Sequence, residues 1–301
     1  MAVYDCCLFF NENDIFEIRL NQHWNFVDKF IVVEAGETHT GLPKPLNFDH
    51  ERFRPYASKI VYRSFDSFDD TIRQFPEYYD AVDDQIHDFK PEWRRDDFQG
   101  NYCFKVLKDL GAQDNDIVYL SPPDEIIKES AMLEALERFK DPAVYDVTDA
   151  SGRVSVQGTR PIFNFMMPLY IYKFNLLTTD VPTRPFASIS EYGNHRKIFP
   201  SLARNVSLVT HPAIENAGWH FSYHDNTDGE RVLAKMKSWA HATDPGKGLN
   251  GARRMDVATP LEAIQILVNE FNMQIVPIGR DTHPDYIVDN QERWANYIFE
   301  E

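Results

Sequence analysis

Cysteine is scarce in this chain, and the three present, Cys6, Cys7 and Cys103, leave one thiol over in any disulfide scheme. No CxxC spacing marks a thiolate metal site. Cys6 and Cys7 lie in an apolar run, where thiols behave as small hydrophobes, so a reducing compartment, the cytoplasm, is expected. Positive charge is also short: 31 Lys and Arg stand against 47 Asp and Glu, a formal net charge of -16. That balance argues against a surface made to grip a phosphate backbone, and nucleic acid is not an expected partner unless a local basic groove hides in the fold. Met1 to Phe10 holds Asp5 and no basic residue, so no secretory signal is read there. No run approaches the ~18 apolar residues of a membrane helix. The densest apolar cluster, Ile162 to Tyr172, is broken by Asn164 and Pro168 and reads as core. Repeats, low-complexity tracts and linker-like stretches are missing too, and a single domain over residues 1–301 is expected.

What is present reads as alternating strands and helices. Val3 to Phe10 is a buried strand that ends in the polar turn Asn11-Glu12-Asn13-Asp14. Ile15 to Trp24 is a short helix with Asp14 as its N-cap and with Glu17 and Arg19 between its apolar positions. Phe30 to Glu34 is a second, β-branched strand, and strand–helix–strand in so short a span is the βαβ unit of a parallel sheet. A helix over 96–110 with Gly111 as its C-cap follows an acidic, aromatic excursion over 66–97. Asp116 to Leu120 is the next buried strand, stopped by Pro122 and Pro123, which cannot donate to a ladder. Residues 144–147 and 153–157 pair as a hairpin about Asp149 to Gly152. Amphipathic helices are expected over 229–242 and 260–272, with a glycine-rich break at 245–251 between them.

Acidic residues just beyond a buried strand carry the strongest functional signal, because open α/β sheets bind ligands at the carboxyl ends of their strands. Asp124 and Glu125 are so placed and can hold Mg²⁺ or Mn²⁺ against a diphosphate; equally, they can begin the helix containing Ala131, Leu133 and Leu136. His220, in Gly218-Trp219-His220-Phe221-Ser222-Tyr223, is a second metal candidate, set against the commoner role of an imidazole in a satisfied core. His241 shares that ambiguity. Lys44, between Pro43 and Pro45, is a candidate phosphate cation or a solvated loop lysine. Arg94 and Arg95 can meet a diphosphate or pair with Asp96 and Asp97. Phe9, Glu34 and Lys44 are expected around a nucleotide, where two neighbouring parallel strands and their loops meet.

Val3 to Glu12, Glu17 to Leu20, Val27 to Glu34 and Thr38 to Leu46 together resemble the opening of the β-1,4-mannosyl-glycoprotein 4-β-N-acetylglucosaminyltransferase family, which adds the bisecting N-acetylglucosamine in animals and has bacterial and viral relatives. The resemblance continues through Arg94, Asp97, Gln99, Gly218 to Ser222 and Lys235…Ser238-Trp239-Ala240-His241, and ends near Pro284-Asp285-Tyr286. It implies a GT-A-type α/β fold: a mostly parallel, Rossmann-like sheet flanked by helices. It also implies an inverting enzyme that moves a sugar from a nucleotide donor such as a UDP-sugar to a glycan or other hydroxyl acceptor, with a divalent metal, Mn²⁺ or Mg²⁺. The family typically shows Ser-Asp-Val-Asp-Glu where this chain has Ser121-Pro122-Pro123-Asp124-Glu125, so the first acid is replaced and the second survives as Asp124. Animal members carry a membrane anchor, and this chain is expected to do without one, in the cytoplasm or in a host's cytoplasm if it is viral. Asp225 and Asp228, just after the Gly218–Tyr223 segment, are the candidate bases for the acceptor hydroxyl. Two rival readings are a transferase acting on modified bases of viral DNA and a catalytically silent sugar- or nucleotide-binding protein.

Overall fold

A computed structural model describes residues 1–79, 90–149, 154–180, 183–196, 198, 209–210, 212–243 and 253–300. The chain opens with β1 (Val3–Phe9), α1 (Asn13–His23), β2 (Lys29–Ala35), β3 (Ile60–Phe65) and α2 (Phe68–Gln74). It continues with α3 (Pro91–Asp109), β4 (Ile117–Ser121), β5 (Glu125–Ile127) and α4 (Glu129–Arg138). Seven further strands follow: β6 (Tyr145–Asp149), β7 (Val154–Thr159), β8 (Ile162–Met167), β9 (Leu169–Ile171), β10 (Leu176–Thr178), β11 (Arg184–Glu191) and β12 (Val209–Thr210). The last elements are β13 (Ala213–Ile214), β14 (Gly218–Ser222), α5 (Glu230–Ser238), α6 (Pro260–Glu270), β15 (Met273–Ile275) and α7 (Asp285–Asp289).

The main sheet has strand order β13-β8-β11-β4-β1-β2-β3. β3, β2, β1 and β4 run parallel, with Cys6 opposite Ile31 on one side and Leu120 on the other, while β11 is antiparallel to β4 and β8. This is the mixed α/β, Rossmann-like arrangement expected from the sequence. Alternation along β1 explains its apolar run, broken only by Asp5: Val3, Cys7 and Phe9 pack with Phe16 and Leu20 of α1, whereas Tyr4, Cys6 and Leu8 pack with Phe98, Phe104 and Leu107 of α3. A strand covered on both faces is mostly apolar, and Asp5 is buried with Arg19 and His23 as partners. A second sheet, β15-β10-β9-β14-β5, joins the first through the short β4–β5 turn, and β12-β6-β7 form a third.

Several boundaries differ from the sequence reading. α1 starts at Asn13, with Glu12 in the N-cap position. Asp14 lies inside the first turn, and its carboxylate is taken by Arg52, Arg231 and Tyr297. The helix is buried nearly all round, Glu17 and Arg19 included, because its Ile15 and Ile18 pack into a second core cluster with Phe174 and Trp294. α3 begins at Pro91 rather than Asp96, the missing proline N–H costing nothing in the first turn. It ends at Asp109 with Leu110 in the C-cap position, and Gly111, expected as the cap, lies one residue beyond in the left-handed region: φ is +77°, the Gly111 N–H donates to Lys108 O, and the Ala112 N–H donates to Leu107 O. The hairpin is present as β6 and β7, with its turn outside the described residues, as is the 245–251 break. α5 stops at Ser238 and is continued by a 3₁₀ turn over Ala240–Thr243, and α6 stops at Glu270. Asp124 and Glu125 do not begin a helix. Asp124 sits in the turn between β4 and β5, Glu125 opens β5, and the next helix starts only at Glu129.

Candidate functional site

The sheet reverses its order at β1, since β2 and β3 extend from one side and β4 from the other. A crevice therefore opens beyond the carboxyl ends of β1 and β4, the usual ligand position in such sheets. The cleft there is partly open to solvent and has an accessible interior of about 210 Å³. Phe9, Phe10 and Glu12 line it from the end of β1, Glu37, Thr38, His39 and Lys44 from the segment after β2, and Pro122, Asp124 and Glu125 from the end of β4. Trp93, Asp96 and Gln99 of α3 form one wall; His220 and Ser222 of β14 with Lys235, Ser238, Trp239 and His241 form the other.

The turn that presents Asp124 is held from behind. The Glu125 N–H donates to Pro122 O at 3.3 Å, closing a β-turn with Pro123 in its second position, where the fixed proline φ suits the geometry. Arg19 donates from Nη1 to Pro122 O at 2.6 Å and to Glu125 O at 3.0 Å, and Tyr119 Oη donates to Glu125 O at 2.8 Å. Arg19 is itself fixed by Asp5, Nη2 to Oδ1 at 2.5 Å, and His23 Nδ1 meets Asp5 Oδ2 at 2.6 Å. His23 Nε2 accepts the Ile127 N–H at 3.0 Å, so Nδ1 carries the proton and the ring is neutral. Burial, opposed by the Asp5 contact, leaves its pKa below the ordinary value. Burial pushes the Asp5 carboxyl up, but Arg19 and His23 outweigh it and hold the pKa below the usual range. A fully buried ionic group survives when its members are paired and hydrogen-bonded, and this one leaves the turn little freedom.

In front of the turn the charges are less completely met. Lys235 Nζ donates to Asp124 Oδ2 at 2.7 Å, and His220 Nε2 lies 3.7 Å from Asp124 Oδ1. That Oδ1 is buried and accepts no hydrogen bond among the described residues. Burial disfavours the Asp124 charge, but Lys235 and His220 overcome it and hold the pKa well below the ordinary carboxylate value. Glu12 takes the opposite shift: burial and the nearby Asp124 raise its pKa against the pull of Lys235 and the N–H groups of Phe10 and Asn11. Strand pairing assembles the group, with His220 opposite Glu125 across β14 and β5 and the Phe221 N–H donating to Asp124 O at 2.9 Å. Gly218 permits that pairing, since a Cβ there would lie 2.1 Å from Ile126 O.

The walls combine aromatic and polar groups. His39 Nε2 lies 2.8 Å from Gln99 Oε1, and His39 Nδ1 lies 3.4 Å from Asp96 Oδ1. The His241 ring lies between Trp93 and Trp239, 4.5 Å from each centroid, edge-on to the first and tilted to the second. Trp239 Nε1 is buried without a hydrogen-bond partner among the described residues. Thr40 Oγ1 donates to Lys237 O, tying the segment after β2 to α5 across the cleft.

Of the residues singled out from sequence, Phe9, Lys44, Asp124, Glu125, His220 and His241 line this cleft together. The others lie elsewhere among the described residues. Glu34 is buried beneath the loop it organises, accepting from Lys44 Nζ, the N–H groups of Asn47 and Phe48, and Tyr62 Oη. Lys44 is thus held by Glu34 at 2.7 Å while its chain borders the cleft. Arg94 stacks over the Tyr79 ring. Asp225 holds the turn before α5, accepting from the N–H groups of Thr227 and Gly229 and from the Thr227 hydroxyl. Asp228 occupies a left-handed position in that turn, with φ +52°. Both aspartates sit outside the cleft lining because they shape the entry to α5. Lys235 and Glu12 were not anticipated as site residues. The only local signal for Glu12 was its place in the polar turn after β1, and Lys235 lies 111 residues from its partner.

No group of three or more His, Cys, Asp or Glu side chains able to hold a metal occurs among the described residues. Asp124 Oδ1 and His220 Nε2 nevertheless offer two donors across a 3.7 Å gap. Mg²⁺-like ions commonly use one or two protein ligands, with substrate phosphates and waters completing the shell. The residues fit such a shared site and do not form a cage of their own.

Fold and cleft together define an α/β protein with a cleft at the topological switch point of a Rossmann-like sheet. Residues 1–143 match the profile of glycosyltransferase family 17. That span holds β1 to β5, the Asp5–Arg19–His23 group and Asp124, and the match supports a glycosyltransferase. No curated protein matches the chain. No helix among the described residues is long and apolar enough to cross a membrane.

Proposed function

We propose that this protein transfers a sugar from a nucleoside-diphosphate donor to a hydroxyl acceptor, with inversion, and that residues 1–301 work as one domain whose cleft draws on both larger sheets. The observation that carries this reading is the Asp124 turn at the switch point, braced from behind and facing Lys235 and His220 across the cleft. Asp124 Oδ1 and His220 would hold Mn²⁺ or Mg²⁺, which when bound offsets the charge that develops on the departing diphosphate. Lys235 adds an ammonium to the same end of the cleft, and such fixed charges act most strongly where water is excluded. Phe9 and Phe10 flank the nucleotide, while Trp93 and Trp239 offer the apolar faces on which sugar rings pack. The acceptor proton passes to a carboxylate of the cleft wall; Glu37, Asp96 and Glu125 are the three besides Asp124 and Glu12. The acceptor is proposed to be a glycan or another hydroxyl compound, and the working compartment a reducing one, in keeping with three buried free cysteines.

The test is turnover of a panel of UDP- and GDP-sugars, followed by release of the nucleoside diphosphate with Mn²⁺ or with chelator. The reading expects at least one donor to be consumed, and Asp124→Asn to abolish that consumption. A panel consumed equally well by Asp124→Asn would refute the assignment of this cleft.

A further inference from the structure

Lys235 and a divalent cation would compete for the same carboxylate. The ammonium sits 2.7 Å from Asp124 Oδ2, and the other oxygen is the one left without a hydrogen bond among the described residues. Lys235 lines the cleft from α5 with Ser238, while the neighbouring Val232 and Met236 anchor the helix in the core. The helix is therefore fixed, and the long lysine chain can re-aim its head without moving it. The face of the Tyr223 ring, 5.4 Å from Nζ, offers further support to the charge.

Charge decides what can enter. Ionised, Asp124, Glu12 and Glu125 set three carboxylates of the cleft against the one ammonium of Lys235. A divalent cation alone would have to share Asp124 with that ammonium, and two cations a few ångströms apart repel strongly where water is scarce. A diphosphate alone would add two or more negative charges to an already negative group. Metal and diphosphate arriving together restore a charge close to the starting one, with the phosphate oxygens able to take both cations. We propose that Lys235 is a resident counter-ion: it holds Asp124 while the cleft is empty and moves to the diphosphate when metal and nucleotide bind, making each conditional on the other. This rests on the donor chemistry proposed above.

The experiment titrates Mn²⁺, followed by electron paramagnetic resonance, and UDP or GDP, followed by calorimetry, into the full chain and its variants. In the wild type, Mn²⁺ should bind at least about tenfold more tightly with UDP or GDP present, and the nucleotide should gain by the same factor from Mn²⁺, since such coupling is reciprocal. Lys235→Met should move the two affinities in opposite directions. Mn²⁺ alone should bind more tightly, because its competitor is gone. The nucleoside diphosphate with Mn²⁺ should bind about ten- to a hundredfold more weakly, the loss of a charge-assisted hydrogen bond. Lys235→Arg, which keeps the charge, should hold nucleotide affinity within a few-fold.

Loss of both affinities in Lys235→Met, or no change in either, would overturn the proposal by making Lys235 merely structural. Should that variant fail to fold, independent binding of Mn²⁺ and nucleotide to the wild type would overturn it equally. If neither UDP nor GDP binds under any metal condition while Lys235→Met still tightens Mn²⁺, the counter-ion role stands and the nucleotide-sugar reading falls.

Discussion

Behind the β4–β5 turn, Asp5, Arg19 and His23 are sealed from solvent, and each charged oxygen of Asp5 has a partner. In front of the same turn, Asp124 has one oxygen on Lys235 and one without a hydrogen bond, and Glu12 is held by backbone N–H groups at a raised pKa. The two groups lie on opposite sides of one turn, yet one is closed and the other open to a partner. A completed ionic network fixes geometry; an incomplete one, exposed to a cleft, waits for a ligand. The closed group exists to keep the open group in position.

The largest effect should come from breaking the closed group. Arg19→Met leaves Asp5 buried beside a single neutral imidazole and frees the carbonyls of Pro122 and Glu125. Removing one partner of a buried pair costs about 3–5 kcal/mol, so the melting temperature should fall steeply. A change of only a degree or two would show that the turn is held by other means. Asp124→Asn should cost less stability, because Lys235 reaches the cleft and can be solvated, while abolishing metal-dependent nucleotide binding. If this variant melts as low as Arg19→Met and retains nucleotide binding, the assignment of roles to the two groups is reversed.

Acid should reach the closed side first. Burial lowers the pKa of His23 and His283, and brings His195 to about 3 and His224 to about 4. A histidine whose folded pKa is depressed binds its proton only on unfolding, so its contribution is complete above its unfolded pKa of about 6.5 and is lost as pH falls toward the folded value. Each such group removes about 1.4 kcal/mol per pH unit in that window. Unfolding free energy from urea titration should therefore decline between pH 6.5 and pH 5, before most carboxylates titrate. A flat profile there would mean these rings are already charged in the folded chain. Glu12→Gln should act in the opposite sense on the open side. A carboxylate with a raised folded pKa loses stability as pH rises from its unfolded pKa of about 4.3 through the folded one, so the variant should flatten the profile just above the ordinary carboxylate range.

Pro122→Asp should have the smallest effect on the fold. Residue 122 lines the cleft, and only its carbonyl is gripped by Arg19. A carboxylate there would sit near Asp124, so Mn²⁺ affinity should rise a few-fold while the melting temperature moves little. Unchanged Mn²⁺ affinity would mean that the side chain at 122 points away from the cation.

The βαβ opening was legible because β1 and β2 are covered on both faces, which makes their apolar runs nearly continuous. Asp124 was legible because a carboxylate after a buried strand falls at the ligand edge of the sheet. Arg19 was not: it reads as the polar side of an amphipathic helix, whereas α1 is packed from both sides and uses the guanidinium to hold a turn more than a hundred residues away. Asp225 and Asp228 follow a strand just as Asp124 does, but local geometry claims them, one bonding backbone N–H groups and the other taking a left-handed position. Lys235 needed the tertiary fold, since nothing within α5 points to Asp124.

The most direct test is a crystal of the protein soaked with Mn²⁺ and whichever of UDP or GDP binds, with anomalous diffraction locating the metal. The account predicts one Mn²⁺ peak beside Asp124 and His220, with the diphosphate against it and Lys235 Nζ moved from Asp124 onto phosphate oxygens. Nucleotide bound outside the cleft, or bound within it with no metal at Asp124 and Lys235 unmoved, would contradict it.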